Sequence, residues 1–392
     1  MRSQILRALQ SQNPFPASSA LLAALLFTLG STAYAQRGVQ SPYMDRPAFE
    51  GTLPARGIDP DSLLRDGAAG TTVANWQGSF VASGIAYTYH MLGTDPSSGS
   101  ATTRINAILI PVKLTFSDGT VLDPSAHVFG ETKSSVELVE ASPVFQSVAF
   151  APGGTNVGKT QYIDAFQRAN FWNLVNGTAP QYHVLFTLRI EAPQALRVPS
   201  FFGSTQFGPG NRIGYVSRHW LDNQLAVLMF KLKIKPNTIP LFLVYDTFTT
   251  VVTNAATSYY RGYHSAFGAP AQVYSEFGFY DQSLYPTNGD ITTASHEMAE
   301  LTDDPFLTNN VPGWFNPETG SCGFDLEVGD PLIGVGLDPI TLGGFTYHLQ
   351  DLTFLPWFSQ QSPSTSVNGW YTFGNTFSSA STTCVPAARR AQ

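Results

Sequence analysis

Apolar positions along this chain change period several times, and each change marks an expected element. Ile85 to Leu92 alternates in part, as a half-buried strand does. Ile105 to Phe116 is a long run rich in β-branched residues, interrupted by Pro111. Asp118-Gly119 is a strong turn signal, and Thr120 to Leu122 after it completes an expected hairpin. Ser142 to Phe150 predicts a short helix opening near Ser142-Pro143. Thr160 to Val175 carries Ile163, Phe166, Phe171, Leu174 and Val175 at helical spacing. His219 to Leu232 predicts a further amphipathic helix, with Asp222 near its start. Ile239 to Tyr245 and Ala271 to Tyr280 read as buried strands, and Asp290 to Leu301 as a helix capped by Asp290. Glycine-rich loops and short strands follow to the end. The sum is an α+β architecture without internal repeats.

The start of the chain has a different texture. Arg2 and Arg7 precede an apolar run from Ala20 to Gly30, and Ser31 to Ala35 ends in an Ala-x-Ala pattern. These zones match a secretory signal peptide. The run is shorter than the ~20 residues a spanning helix needs, so removal after Ala35 is expected rather than anchoring. Residues 36–75, rich in Pro, Gly, Arg and Asp, read as a loosely packed lead-in, and residues 76–392 as a single large α+β domain. No second apolar stretch approaches spanning length. The expected protein is secreted: extracellular, or periplasmic in a bacterial host.

Composition narrows the function classes. Charged residues make up 12% of the chain, against a usual ~25%, and the formal net charge is −7. No basic cluster could track a phosphate backbone, which disfavours nucleic-acid binding. Lys231, Lys233 and Lys235 alternate, as on one solvated strand face. In an oxidising compartment Cys322 and Cys384 are expected to form one disulfide, tying the C-terminal tail back towards the loop after the main motif; metal ligation by two such distant cysteines is the weaker reading. Asn176-Gly177-Thr178 fits a glycosylation acceptor in a eukaryotic host. Nothing in the sequence sets an oligomeric state.

Candidate chemistry lies in Ala294 to Pro305. On a helix, His296 and Glu300 stand at i and i+4 and share a face, with Glu297 one step round at its rim. This is the arrangement of the zinc-protease motif H-E-x-x-H with a carboxylate replacing the second imidazole. In that motif the i and i+4 side chains hold Zn²⁺ and the intervening Glu activates water. The second carboxylate makes the donor set harder, so Ca²⁺, Mn²⁺ or Mg²⁺ compete with Zn²⁺. A third ligand must come from elsewhere. Asp304 lies at i+8 from His296, although Pro305 disfavours helix that far. The segment Asp325 to Pro331 offers Asp325, Glu327 and Asp330 in a turn-rich loop. The alternative for Glu297 and Glu300 is a solvated helix face, and for His296 a hydrogen-bonded core histidine.

His296-Glu297-Met298-Ala299-Glu300, Asp304-Pro305, Trp314 and Glu327-Val328-Gly329-Asp330 together resemble the signature of the EXORDIUM / phosphate-induced protein 1 family. Arg261-Gly262-Tyr263-His264 is similar to a short motif that precedes the signature there. Secreted bacterial proteins carry segments closer still to Ser295–Glu300, Leu326–Leu332 and Phe345–Gln350. The likeness spans roughly residues 260 to 385. Where the plant family has a cysteine soon after this acidic segment, this chain has Pro331-Leu332, and its nearest cysteine, Cys322, comes before. The resemblance implies a secreted, wall- or surface-associated protein with a zincin-like, metallopeptidase-like fold. It also orders the third-ligand candidates as Glu327, then Asp330, then Asp304.

Two functions are thereby expected. One is a secreted metal-dependent hydrolase acting on a peptide or a cell-wall-associated substrate. His296, Glu300 and Glu327 would hold the metal, Glu297 would serve as general base, and His264 or a nearby tyrosine would stabilise the oxyanion. The other is a non-catalytic extracellular protein with a structural ion site. His264 is a candidate ligand or proton donor set against a structural role; His348 is expected to be structural, and Trp314, Trp357 and Trp370 to be buried. No nucleophile elbow or phosphate-cradling loop is present.

Overall fold

A computed structural model describes residues 72–177, 181–252 and 257–385. The expected signal peptide, almost all of the lead-in, and Thr178 of the glycosylation acceptor lie outside the described residues. Strand exceeds helix, and the class is mixed α+β with no closed barrel among the described residues.

The central element is the long strand Thr102–Thr115. It pairs in parallel with Thr238–Tyr245 on one side and with His183–Ile190 and Gln194–Arg197 on the other. Thr238–Tyr245 pairs in parallel with Gln272–Phe279, and Gly262–Phe267 closes that edge in antiparallel register, His264 opposite Ser275. Pro111 is tolerated because it falls where the partner changes: pairing to the first neighbour ends at Leu109 and pairing to the second begins at Val112. Its missing N–H costs no ladder bond there. The expected hairpin is present, with Leu114 and Thr115 opposite Leu122 and Val121, and Gly119 at φ 87° in its turn.

Both faces of this sheet are covered, which explains its near-continuous apolar strands. Leu241 and Leu243 join one core with the helices Tyr162–Asn170 and Thr292–Asp303, while Phe242 and Val244 join another with the helix Arg218–Lys231. A second sheet orders Thr257–Tyr260, Thr247–Val252, Arg212–Ser217 and Gly203–Phe207. No helix of the described residues is long and apolar enough to cross a membrane. Cys322 and Cys384 form a disulfide, Cα atoms 5.7 Å apart. It binds the tail to the strand Ser321–Asp325, beside a backbone bond from Cys384 N–H to the Gly313 carbonyl.

Several local expectations need correction. Ser142–Phe150 is not helical: turns lead into a strand at Val148–Phe150, which pairs with Gly158–Thr160. The helix forms just upstream at Ser135–Glu140, where Ser134 and Glu137 make a reciprocal capping box. The helix in Thr160–Val175 breaks at Phe171, giving Tyr162–Asn170 and Trp172–Val175. Ser217 caps the helix Arg218–Lys231, and Asp222 within its first turns is buried and accepts from the Tyr274 hydroxyl. Lys231 ends that helix and Lys233 turns the chain at φ 53°, so the three lysines do not share a strand face. Asp290 does not cap the motif helix by an ordinary side-chain bond. Its carboxylate takes the backbone N–H of His348 at 3.0 Å and faces His348 Nδ1 at 2.6 Å.

Candidate metal centre

The helix Thr292–Asp303 carries no solvated face: every residue in it is buried. It packs against the strand pair Gly262–Phe267 and Gln272–Phe279 and against the helix Tyr162–Asn170. Met298, Ala299 and Leu301 enter the hydrophobic core, as an amphipathic helix requires. The opposite side buries His296, Glu297 and Glu300 with no exposure at all. Burying such groups is costly unless partners or an ion compensate them, so the solvated-face alternative for the two glutamates does not hold.

Two glycines set the spacing around this helix. A Cβ at Gly262, on the edge strand, would lie 2.7 Å from Thr293 Cγ2 and 3.0 Å from Glu297 Cγ. One at Gly329, in the acidic loop, would lie 2.2 Å from His296 Nδ1. Only a bare backbone fits at either contact. The loop then engages the helix directly, the Gly329 N–H donating to Glu300 Oε1 at 3.1 Å.

Gln350 fixes the orientation of His296. Its amide nitrogen donates to the Gly329 carbonyl at 2.7 Å, which leaves its oxygen facing His296 Nδ1 at 3.1 Å. Nδ1 therefore carries the proton and Nε2 presents its lone pair. Nε2 lies 3.1 Å from Glu300 Oε2 and 3.7 Å from Asp330 Oδ1. Asn316 holds the other Asp330 oxygen at 3.1 Å. Gln350 is itself fixed by Ser295, through its N–H, and by the Tyr162 hydroxyl on its carbonyl. Positioning of a ligand imidazole by such an outer partner is usual in metal sites.

His264 approaches from the edge strand. Its Nδ1 lies 3.4 Å from Glu297 Oε2 and 3.8 Å from Glu300 Oε2. Candidate ligand atoms of His264, Glu300 and Glu327 all lie within 4.8 Å of one another, and so do those of His296, Glu300 and Asp330. The His264 imidazole has only long contacts to these carboxylates, and Glu327 Oε2 accepts no hydrogen bond. Buried polar atoms in such a state call for a water or an ion between them.

The electrostatics of these side chains, with no cation beside them, agree. Burial drives His264 down to about 4, against the pull of Glu300. Burial raises Glu327 well above the usual carboxyl range, and the negative charges of Glu300, Asp330 and Asp304 raise it further. Burial also pushes Glu300 up, but the His296 and His264 imidazoles, with its hydrogen bonds, hold it below the ordinary value. Carboxyls buried side by side in this way are costly to ionise together, and a cation between them would offset that cost.

The residues expected at the site lie together with one exception, but the expected ligand set of His296, Glu300 and Glu327 is split between two groups. His296, Glu300, Glu327, Asp330, Glu297 and His264 come together. Asp304 does not join either ligand group, because Pro305 ends the helix and turns the carboxylate onto the backbone N–H groups of Thr308 and Asn309, at 2.9 and 3.2 Å. Glu327 meets His264 and Glu300, whereas Asp330 meets His296 and Glu300. Gln350 and Asn316 were not assigned roles from the sequence. The segment Phe345–Gln350 stood out by resemblance, but nothing in its pattern shows which helix it faces. Comparison with family models, curated proteins and solved structures returns no match, so geometry alone carries the functional reading.

Proposed function

We propose that this chain is a secreted, metal-dependent hydrolase of the zincin-like kind, acting on peptide bonds. The observation that carries this is the convergence of His296 Nε2, Glu300 Oε2 and Asp330 Oδ1, with Glu297 one helical step away. The donors are nitrogen and oxygen only, a set that suits Zn²⁺ or Mn²⁺. Further support comes from the mixed sheet, whose antiparallel edge strand lies along the motif helix. The disulfide supports an oxidising compartment, and the EXORDIUM-like resemblance belongs to the same proposal.

A bound cation would polarise the scissile carbonyl and make water acidic enough to attack near neutral pH. Glu297 accepts the proton as water adds to the carbonyl carbon, then delivers it to the amide nitrogen as the C–N bond breaks. Gln350 keeps His296 Nε2 free of hydrogen throughout. The test pairs peptide hydrolysis with metal analysis of the purified protein. Glu297→Gln should lose turnover and keep its metal; full activity in that variant rules this mechanism out.

A second reading has an observation of its own. His264, His296, Glu297 and Glu300 are wholly buried, and Asp330 is the most open of the group at 14% side-chain exposure. Structural sites are closed and catalytic ones keep a position open. An extracellular protein stabilised by a buried ion therefore remains the rival. Loss of the fold on chelation, with no hydrolysis before it, selects that rival.

A further inference from the structure

We propose that the centre holds two divalent cations bridged by Glu300, the second bound by His264 and Glu327. This rests on the reading that a cation binds at His296, Glu300 and Asp330. Each triad has its three donor atoms within 4.8 Å of one another, and the triads share only Glu300. The shared carboxylate stands between the imidazoles: its Oε2 lies 3.1 Å from His296 Nε2 and 3.8 Å from His264 Nδ1. Separations of this size between donors follow when each binds a common ion at about 2.0–2.2 Å. Carboxylate-bridged ions about 3.5–4 Å apart form a recurring hydrolytic arrangement.

One ion does not account for the buried atoms. With a cation at His296, Glu300 and Asp330, His264 Nδ1 still has only long contacts to carboxylate oxygens and Glu327 Oε2 accepts no hydrogen bond. His264 has no exposure and Glu327 only 7%. These atoms face each other and Glu300, so they define a second place for positive charge.

The second ion changes the part played by His264, which becomes a ligand rather than the donor to the oxyanion. Stabilisation of the developing negative charge passes to the cation pair. The substrate remains an amide: Glu297 still takes the proton from water and returns it to the leaving nitrogen, so no further reactant is needed.

The test is stoichiometry on the whole secreted chain. The purified protein is stripped with chelator, checked by circular dichroism, and titrated with Zn²⁺. Bound metal is measured by mass spectrometry against protein from amino-acid analysis. Two equivalents are expected for the wild type, about one for His264→Asn and for Glu327→Gln, and none held tightly by Glu300→Gln. Loading with Mn²⁺ should give the spin-coupled resonance of a pair, absent in His264→Asn. The wild-type count needs no variant to fold. One equivalent, with His264→Asn unchanged, overturns the two-ion proposal and leaves the single-cation reading standing. No bound metal overturns both.

Discussion

Two clusters in this protein pair histidine with carboxylate, and they differ in what is left over. At His348 and Asp290, each contact closes on a partner within the cluster. One carboxylate oxygen takes the Ile291 and His348 backbone N–H groups, and the other meets His348 Nδ1. At the motif helix the His264 imidazole and Glu327 Oε2 find no well-formed hydrogen bond, although His264 has no exposure and Glu327 only 7%. The first cluster fastens a loop to the start of a helix. The second has the form of a receptacle. Residue types do not separate the two; satisfaction of hydrogen bonds does.

That contrast breaks most visibly at Glu297. Glu297→Gln should lower kcat by about 10²–10⁴-fold with metal content unchanged, whereas His348→Ala should leave kcat within about twofold. A comparable loss in both variants ends the distinction. Next in size is the disulfide, which lies outside both clusters: Cys384→Ser should destabilise the fold by about 2–4 kcal/mol, read by denaturant melts with and without reductant. Gln350→Leu should weaken metal affinity by about 10–100-fold, measured by competition with a chromogenic chelator, while the melting temperature in excess metal moves little. An unchanged affinity removes Gln350 from its positioning role.

The smallest effect lies at His348 and depends on pH. Its hydrogen bond to Asp290 raises the imidazole above its ordinary value of 6.5, against burial. The charged pair thus adds stability that is complete below that value and fades as pH rises through the folded one. Wild type should exceed His348→Ala in stability by more at pH 5.5 than at pH 9. A pH-independent difference assigns His348 to packing alone.

How far the sequence could lead follows from how local each feature is. His296 and Glu300 share a face by helical geometry, which sequence spacing fixes. The long apolar strands were legible because both of their faces are buried. His264 reaches the centre only through the antiparallel pairing of its strand, His264 opposite Ser275, and no local pattern encodes that register. Asp304 failed as a ligand for a local reason, since Pro305 stops the helix one residue too soon. The helix at Ser135–Glu140 left its S-x-x-E signature in plain view at Ser134 and Glu137, outweighed by the apolar run after it. Gln350 lies beyond such reasoning, because an amide acts here only through what it happens to face.

The close fit of Gly329 against His296 bears on rigidity. Any side chain at 329 would collide with the ring, a Cβ falling 2.2 Å from Nδ1, so the imidazole has no room to swing while the loop keeps its place. Leu326 and Val328, both sunk in the hydrophobic core, hold that loop still.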